Sequence, residues 1–160
     1  MSRRIRKARE GDLTEIIRLD DELSDHHSGI DDYFLPASDM EEEETREWLN
    51  EIMDREDALL LVVDKGKGKS LGGYFVGEIG DAKQFVAPDR EGHIAAAYVE
   101  PECRGEGFSR RAIERFKKWF REEGVTSVRL SVHSQNEEAI RAWQSLGFEE
   151  YMKRMRLEDF

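Results

Sequence analysis

Cysteine is almost missing from this chain: Cys103 is the only one in 160 residues. A lone thiol closes no internal disulfide and builds no cysteine-rich metal site, so the expected setting is a reducing cytoplasm, with no metal. Long apolar runs are missing too. Nothing approaches the ~20 residues of a membrane span, and the opening "MSRRIRKARE" has no apolar stretch behind its basic residues, so neither a signal peptide nor a membrane partner is expected. Positive charge is in deficit. The formal net charge of −11 argues against nucleic acid, whose phosphates want a basic footprint. There are only three prolines, and no repeat, low-complexity tract or linker divides the chain, so one domain over 1–160 is expected.

What charge there is lies unevenly. Between Glu10 and Asp57, 19 acidic residues face Arg18, Arg46 and Arg55, a net of −16. Between Cys103 and Lys118, six basic residues face Glu106 and Glu114, a net of +4. Solvated faces of acidic helices account for the first block, in a salt- or heat-adapted organism for instance. A division in which one half receives a cation and the other holds an anion accounts for both. The two readings are compatible.

Periodicity orders the elements. A strand at 5–9 precedes a helix from Asp12 to about 24, a loop at 24–36 and an acidic helix from Ser38 to 54, with Ser38 and Glu41 as a capping box. Strands at 58–64 and 71–79 flank a lysine-rich turn at 65–70. A strand at 93–99 ends at Pro101, and a helix follows to about Gly124. A strand at 127–132, a helix capped by Ser134 and Glu137, and a closing strand at 151–157 complete a mixed sheet flanked by helices.

Two tempting nucleotide motifs fail. "GKGKS" lacks the first Walker glycine, because Val63 stands in its place inside a strand. "GEGFSR" puts Arg110 where a dinucleotide fingerprint needs its third glycine. What remains is strand, Pro101, Arg104, Gly105, Gly107, helix. A helix start offers unpaired amides and a partial positive charge, and glycines let a phosphate approach them. Arg104, Arg110 and Arg111 deepen the field. A phosphate-bearing ligand fits this stretch, as does an ordinary glycine-rich turn.

With "YVEPECRGEGFS" followed by "NEEAIRAWQSLGFEE", the chain resembles the GNAT superfamily of acyl-CoA-dependent N-acetyltransferases over nearly its whole length. The resemblance implies an α/β (mixed α+β) fold: a twisted mixed sheet of six to seven strands with about four helices, splayed between 93–99 and 127–132. It implies acetyl-CoA as co-substrate, held by Tyr98 and Val99 along the strand, by Arg104, Gly105, Glu106, Gly107, Phe108 and Ser109 around the pyrophosphate, and by Asn136. It implies direct attack by an amine without an acyl-enzyme, and a homodimer is common among its members. A non-catalytic acyl-CoA-binding or regulatory module is the alternative.

The usual acid and base are absent. Trp143 stands where many members carry a tyrosine, and Ala95 and Ala96 stand where a carboxylate is often found. An alkylamine is almost wholly protonated at neutral pH, and a positioned base is commonly worth ~10²–10⁴ in rate. Glu78 and His93 are the candidate bases, with an ordered water as another route, and Tyr151 or Tyr98 could protonate the thiolate. His26 and His27 fall in the loop that borders the acceptor site in such proteins. There, with Asp31, Asp32, Tyr33 and Phe34, they could form an amine pocket by carboxylate pairing and cation–π contact. His27, Tyr33 and Phe34 are the candidate substrate contacts, although a solvated loop with one aromatic anchor serves as well. His133 and Cys103 read as structural.

Overall fold

The computed structural model describes residues 3–68, 70–81, 85 and 87–160. Its five strands lie in sequence order: β1 (Arg4–Lys7), β2 (Ala58–Asp64), β3 (Leu71–Asp81), β4 (Arg90–Val99) and β5 (Val128–Arg129). The first four are antiparallel neighbours, and β5 alone runs parallel to β4. Helices α1 (Leu13–Ser28), α2 (Glu42–Asp54), α3 (Phe108–Glu122) and α4 (Glu137–Ser145) cover the faces. In β2, alternate residues feed opposite cores: Leu60 and Val62 pack with α1 and α2, while Leu61 and Val63 pack with α3. Burial on both faces explains why "ALLLVV" is an unbroken apolar run.

The expected order of elements holds, with corrections. Five strands stand among the described residues instead of six to seven, because 151–157 has no strand pairing and is exposed. The strand expected at 127–132 shrinks to two residues, since only those meet β4. Helix α1 runs on to Ser28, so His26 and His27 sit in its last turn instead of in the loop. Cationic-capable side chains complement the helix's C-terminal end, which favours this extension. Neither expected serine cap forms. A 3-10 turn at Ala37–Asp39 occupies Ser38 and leaves Glu41 as N-cap of α2. Asn136 caps α4, accepting from the Ala139 amide at 3.3 Å. The 65–70 turn joins antiparallel β2 and β3 as expected, its residue 69 lying outside the described set.

Helix α3 seats on the sheet through a missing side chain. A Cβ at Gly77 would lie 2.5 Å from the Phe116 ring, so the ring rests on bare β3 backbone. Phe116 and Phe120 stack at 6.2 Å in the same core, which fixes the helix against β3.

The N-terminal strand is held by charge. Arg6 donates to Asp12 at 2.8 and 3.0 Å and to Asp64 at 2.8 Å, with all three side chains 15% exposed or less. Burial alone would raise the Asp12 carboxyl, but Arg6 and the Arg9 amide outweigh it and hold it below the ordinary aspartate range. Arg6 and the Gly66 amide likewise hold Asp64 low.

Replacing Gly77 with alanine is expected to cost about 1–3 kcal/mol through overpacking against Phe116, read as a lower Tm with unchanged secondary structure. The Arg6→Met variant, which strands two nearly buried carboxylates, should lose about 3 kcal/mol near neutral pH. Both folded pKa values are depressed, so this stabilisation is complete above about pH 4 and fades as the pH falls through the folded values. The gap in Tm between Arg6→Met and the parent should therefore close on acidification, and a gap independent of pH would contradict the assignment.

Candidate active site

The site is built around a parting of strands. β5 meets β4 only at Gly92↔Val128 and His93↔Arg129, with one further bond from the Gly92 amide to Ser127 at 2.8 Å. β4 continues to Val99, so from Ile94 onward its β5-side edge has no strand beside it. Those six residues, at ~3.3 Å each, make an open edge of about 20 Å. The same stretch carries a bulge. Val76 pairs with Ala96 but Gly77 with Ile94, leaving Ala95 as the extra residue. Ala95, Ala96 and Tyr98 consequently pack towards α1 and α2, while Ala97 and Val99 pack towards α3.

At the mouth of the parting lies the glycine stretch. Gly105 and Gly107 both adopt φ +81°, the left-handed region, and a Cβ on either would meet nothing within 4 Å. The turn therefore needs glycine for its conformation, and the space above it is open. The first bond of α3 runs from the Arg111 amide to the Gly107 carbonyl at 3.1 Å, so the amides of Phe108, Ser109 and Arg110 have no partner within the helix. No side chain caps them, and the first turn of α3 holds no acid, whereas α1, α2 and α4 each have acidic first turns. Arg104 folds back onto the Val99 carbonyl at 2.8 Å and lies over the Tyr98 ring. Arg110 donates to the Ser145 carbonyl at 3.3 Å, and Arg111 covers Phe108.

Buried Glu100 anchors the entrance to this loop. Its carboxylate is bonded by Lys65 and lies 3.5 Å from Arg18, which also donates to the Leu71 carbonyl at 3.1 Å. Glu100, Glu102 and Cys103 gather as metal ligands might, but Lys65 already bridges the two carboxylates.

The other end of the parting is marked by His93, the last residue of β4 with a β5 partner. Ile94 packs with α3, so alternation turns His93 to the face covered by α1 and α2. Glu78, directly opposite on β3, lies 3.2 Å from His93 Nδ1 and accepts from Arg55 at 3.0 Å. A Glu78 bond at Nδ1 leaves Nε2 with its lone pair. The structure thus brings together two residues that lie 15 apart in sequence. Tyr151, by contrast, is on the exposed C-terminal stretch.

His27, Tyr33 and Phe34 do gather. Phe34 lies 5.0 Å from the His27 ring, 5.2 Å from Tyr33 and 6.0 Å from His133. Burial pushes the His27 pKa down, with His26 adding to it. Beneath them, Tyr74 donates to buried Asp20 at 2.6 Å, and burial raises the Asp20 carboxyl. Asp31 is not the free carboxylate that an amine would need. It accepts from the Tyr33 amide at 3.1 Å, from His133 Nε2 at 2.8 Å and from Arg156 at 3.1 Å, and these bonds hold its carboxyl well below the usual range. The Gln135 amide donates to His133 Nδ1 at 3.1 Å, which fixes the His133 proton on Nε2. This pinning of the loop is invisible in sequence, because its partners lie 102 and 125 residues from Asp31.

Solved structures share this architecture. The tetramutant of the BH1408 protein from Bacillus halodurans superposes with a TM-score of 0.81 at 22% identity, covering 97% of this chain and 99% of that one. The aminoglycoside N-acetyltransferase AAC(6')-Iy, solved in complex with CoA, gives 0.76 at 14% identity, covering 99% and 95%. In sequence, the chain is 25% identical over 115 residues to mycothiol acetyltransferase from Thermobifida fusca (strain YX), which takes in 72% of this chain but 34% of that protein. The chain thus spans about a third of the length of that relative. The model of the Acetyltransferase (GNAT) family matches residues 13–148, from the first turn of α1 past the end of α4, and the chain belongs to that family.

Proposed function

We propose that the protein is an acetyl-CoA-dependent N-acetyltransferase acting on a cationic amine. One observation carries the reading: an open strand edge runs from an uncapped, acid-free helix start to a histidine–carboxylate pair. Acetyl-CoA supplies an acetyl thioester, which an unprotonated amine can attack directly. The amides of Gly105 to Ser109 would take the pyrophosphate, with Arg104 beside them. The free edge of β4, including Tyr98 and Val99, would pair with the pantetheine arm, and Asn136 would border it. That AAC(6')-Iy binds CoA on the same fold supports this assignment.

The chain's own residues must manage one proton. His93 Nε2, turned to the α1–α2 face at the apex of the parting, would take it from the incoming ammonium. Glu78 orients the ring and stabilises the imidazolium that results. Cys103 offers no competing covalent route, because the thiol is fully buried and burial pushes its pKa up. The block of −16 over residues 10–57 borders the acceptor side and favours a cation. Within it, the His27 and Phe34 rings would border the amine beside Tyr33, whose ring Arg156 already covers.

Two variants test the two ends of the site separately. Ser109 is the second residue of α3, so glutamate there should leave Tm unchanged or raise it slightly, since a carboxylate suits a helix start by about 0.3–1 kcal/mol. The same charge opposes pyrophosphate, and calorimetric acetyl-CoA affinity should fall at least tenfold, about 1.4 kcal/mol. Equal affinity in a folded S109E would remove the phosphate loop from the reading.

The His93→Ala variant should keep its acetyl-CoA affinity and lose roughly 10²–10⁴ in kcat/KM. Its rate should then climb with pH towards the amine's own pKa near 10, while the parent levels off earlier. Parent-like rates and pH dependence would clear His93 of the role. Acetyl-CoA binding by the parent without amine-dependent release of thiol, across a panel of amines, would instead describe a non-catalytic binding module.

A further inference from the structure

Three carboxylates lie buried among the described residues, and two of them are buried with a cation. Asp12 is 5% exposed and accepts from Arg6, while Glu100 is 6% exposed and meets Lys65 and Arg18. Asp20, on the buried face of α1, is 9% exposed and has no basic partner among the described residues. Its one bond comes from the Tyr74 hydroxyl to Oδ1, at 2.6 Å. Oδ2 has no such bond. Since no described polar side-chain atom is sealed from solvent without a partner, Oδ2 keeps an opening to the outside. A charge buried without an opposite charge is costly, and burial accordingly raises the Asp20 carboxyl. Tyr74 does not require a charge there, because a neutral side-chain oxygen would accept from its hydroxyl as well. A carboxylate at this position points to a cation that arrives from outside.

Asp20 stands on the site's own face of the sheet. Tyr74 on β3 is the direct partner of Tyr98 on β4, and Val76 that of Ala96. Tyr74, Val76, Ala95, Ala96 and Tyr98 all pack towards α1 and α2, the face to which His93 also turns. Between Tyr98 and His93, β4 contributes only the methyl groups of Ala95 and Ala96 to this face. His27 lies two turns beyond Asp20 on the same side of α1. Burial pushes it towards its neutral form, so it does not supply the missing charge. Burial raises the neighbouring Asp21 carboxyl too, and Asp20, Asp25 and Glu42 raise it further. That mutual repulsion marks a field around Asp20 that attracts cations.

We infer that Asp20 binds a second, non-reacting cationic group of the acceptor, so that the acceptor carries at least two positive charges. Within the proposed acetyltransferase site, on which this role rests, Asp20 sets the choice of acceptor. A carboxylate steadies the protonated form of an amine. That form has no lone pair for attack, so the nitrogen held by Asp20 is not the one acetylated. The reacting nitrogen belongs at the other end of the same face, beside His93. The strand positions that carry the two ends, Tyr74 and Glu78, lie four residues apart on β3, a span of about 13 Å at ~3.3 Å per residue. An extended polycationic amine bridges that span, and a small monoamine does not.

The parent, supplied with acetyl-CoA, should acetylate a series of α,ω-diaminoalkanes with lower KM than the monoamines of matching length. The advantage should grow as the chain approaches the span from Asp20 to His93. In Asp20→Asn, which still offers an oxygen to Tyr74, that advantage should fall about tenfold to a hundredfold, and the loss should sit in KM. Acetyl-CoA affinity by calorimetry should stay at the parent's value, and Tm should hold or rise, since a buried charge is removed. A parent that binds acetyl-CoA but prefers no diamine overturns the role of Asp20 alone. A parent that binds no acetyl-CoA overturns it together with the acetyltransferase reading. Folded D20N with the parent's preference also overturns it, and leaves Asp20 a partner for Tyr74 only. Should D20N fail to fold, the carboxyl carbon-13 resonance of Asp20 in the parent decides the matter. It should move when a long diamine is added with CoA and stay in place with the monoamine, and a resonance that ignores both overturns the proposal.

Discussion

Everything about the site depends on β4 losing its neighbour after two residue pairs. A parallel strand that stayed in register with β4 would satisfy the backbone from Ile94 to Val99 and leave no place for an extended ligand. Because the strands part at His93, one sheet supplies three things: a closed core below the apex, an open edge above it, and a histidine where the two meet. The bulge at Ala95 works on the same stretch. By adding a residue it turns Ala95 and Ala96 to one face and leaves only methyl groups there. The small side chains keep that wall low and put no carboxylate on it. The polar pair nearest the apex is instead Glu78 and His93, matched across β3 and β4.

Much of this was legible in the sequence where local chemistry decides the outcome. The glycines at 105 and 107 announced a special turn before a helix. The structure adds a second reason for them, because both sit at positive φ with open space above. The run "ALLLVV" announced a strand buried on both faces. Features that depend on long-range partners were not legible. The strand pattern at 151–157 is real in composition, but pairing requires a free edge, and this chain provides none that the segment meets. Ser38 and Ser134 had the right residue three positions on, but their backbone was taken by a 3-10 turn and by Asn136. Asp31 read as a loop carboxylate open to a ligand, and only the fold brings His133 and Arg156 to it.

The two sides of the parting are built in different ways. On the α3 side, aromatic rings rest on bare strand backbone and Glu100 is gripped by two basic side chains, so the glycine turn is held by a dense core and a buried ion cluster. On the α1–α2 side, the wall is the last turn of α1 and the aromatic loop after it, tied to residues 133 and 156 through Asp31. Substitutions near Tyr33 and Phe34 change the shape of that wall while leaving the core intact. Substitutions under α3 change the core itself.

The three bonds on Asp31 also set an order of events. Its loop is synthesised early, but two of its partners come from residues 133 and 156. Contacts this far apart in sequence are slow to form, because a long loop must close before they reward the chain. A chain emerging N-terminus first can complete β1 to β4 and α3 while Asp31 still lacks both partners. The Asp31 loop is thus the last part of the molecule to set, and a chain cut short before residue 156 would keep its glycine turn while losing one of the pins that hold that loop.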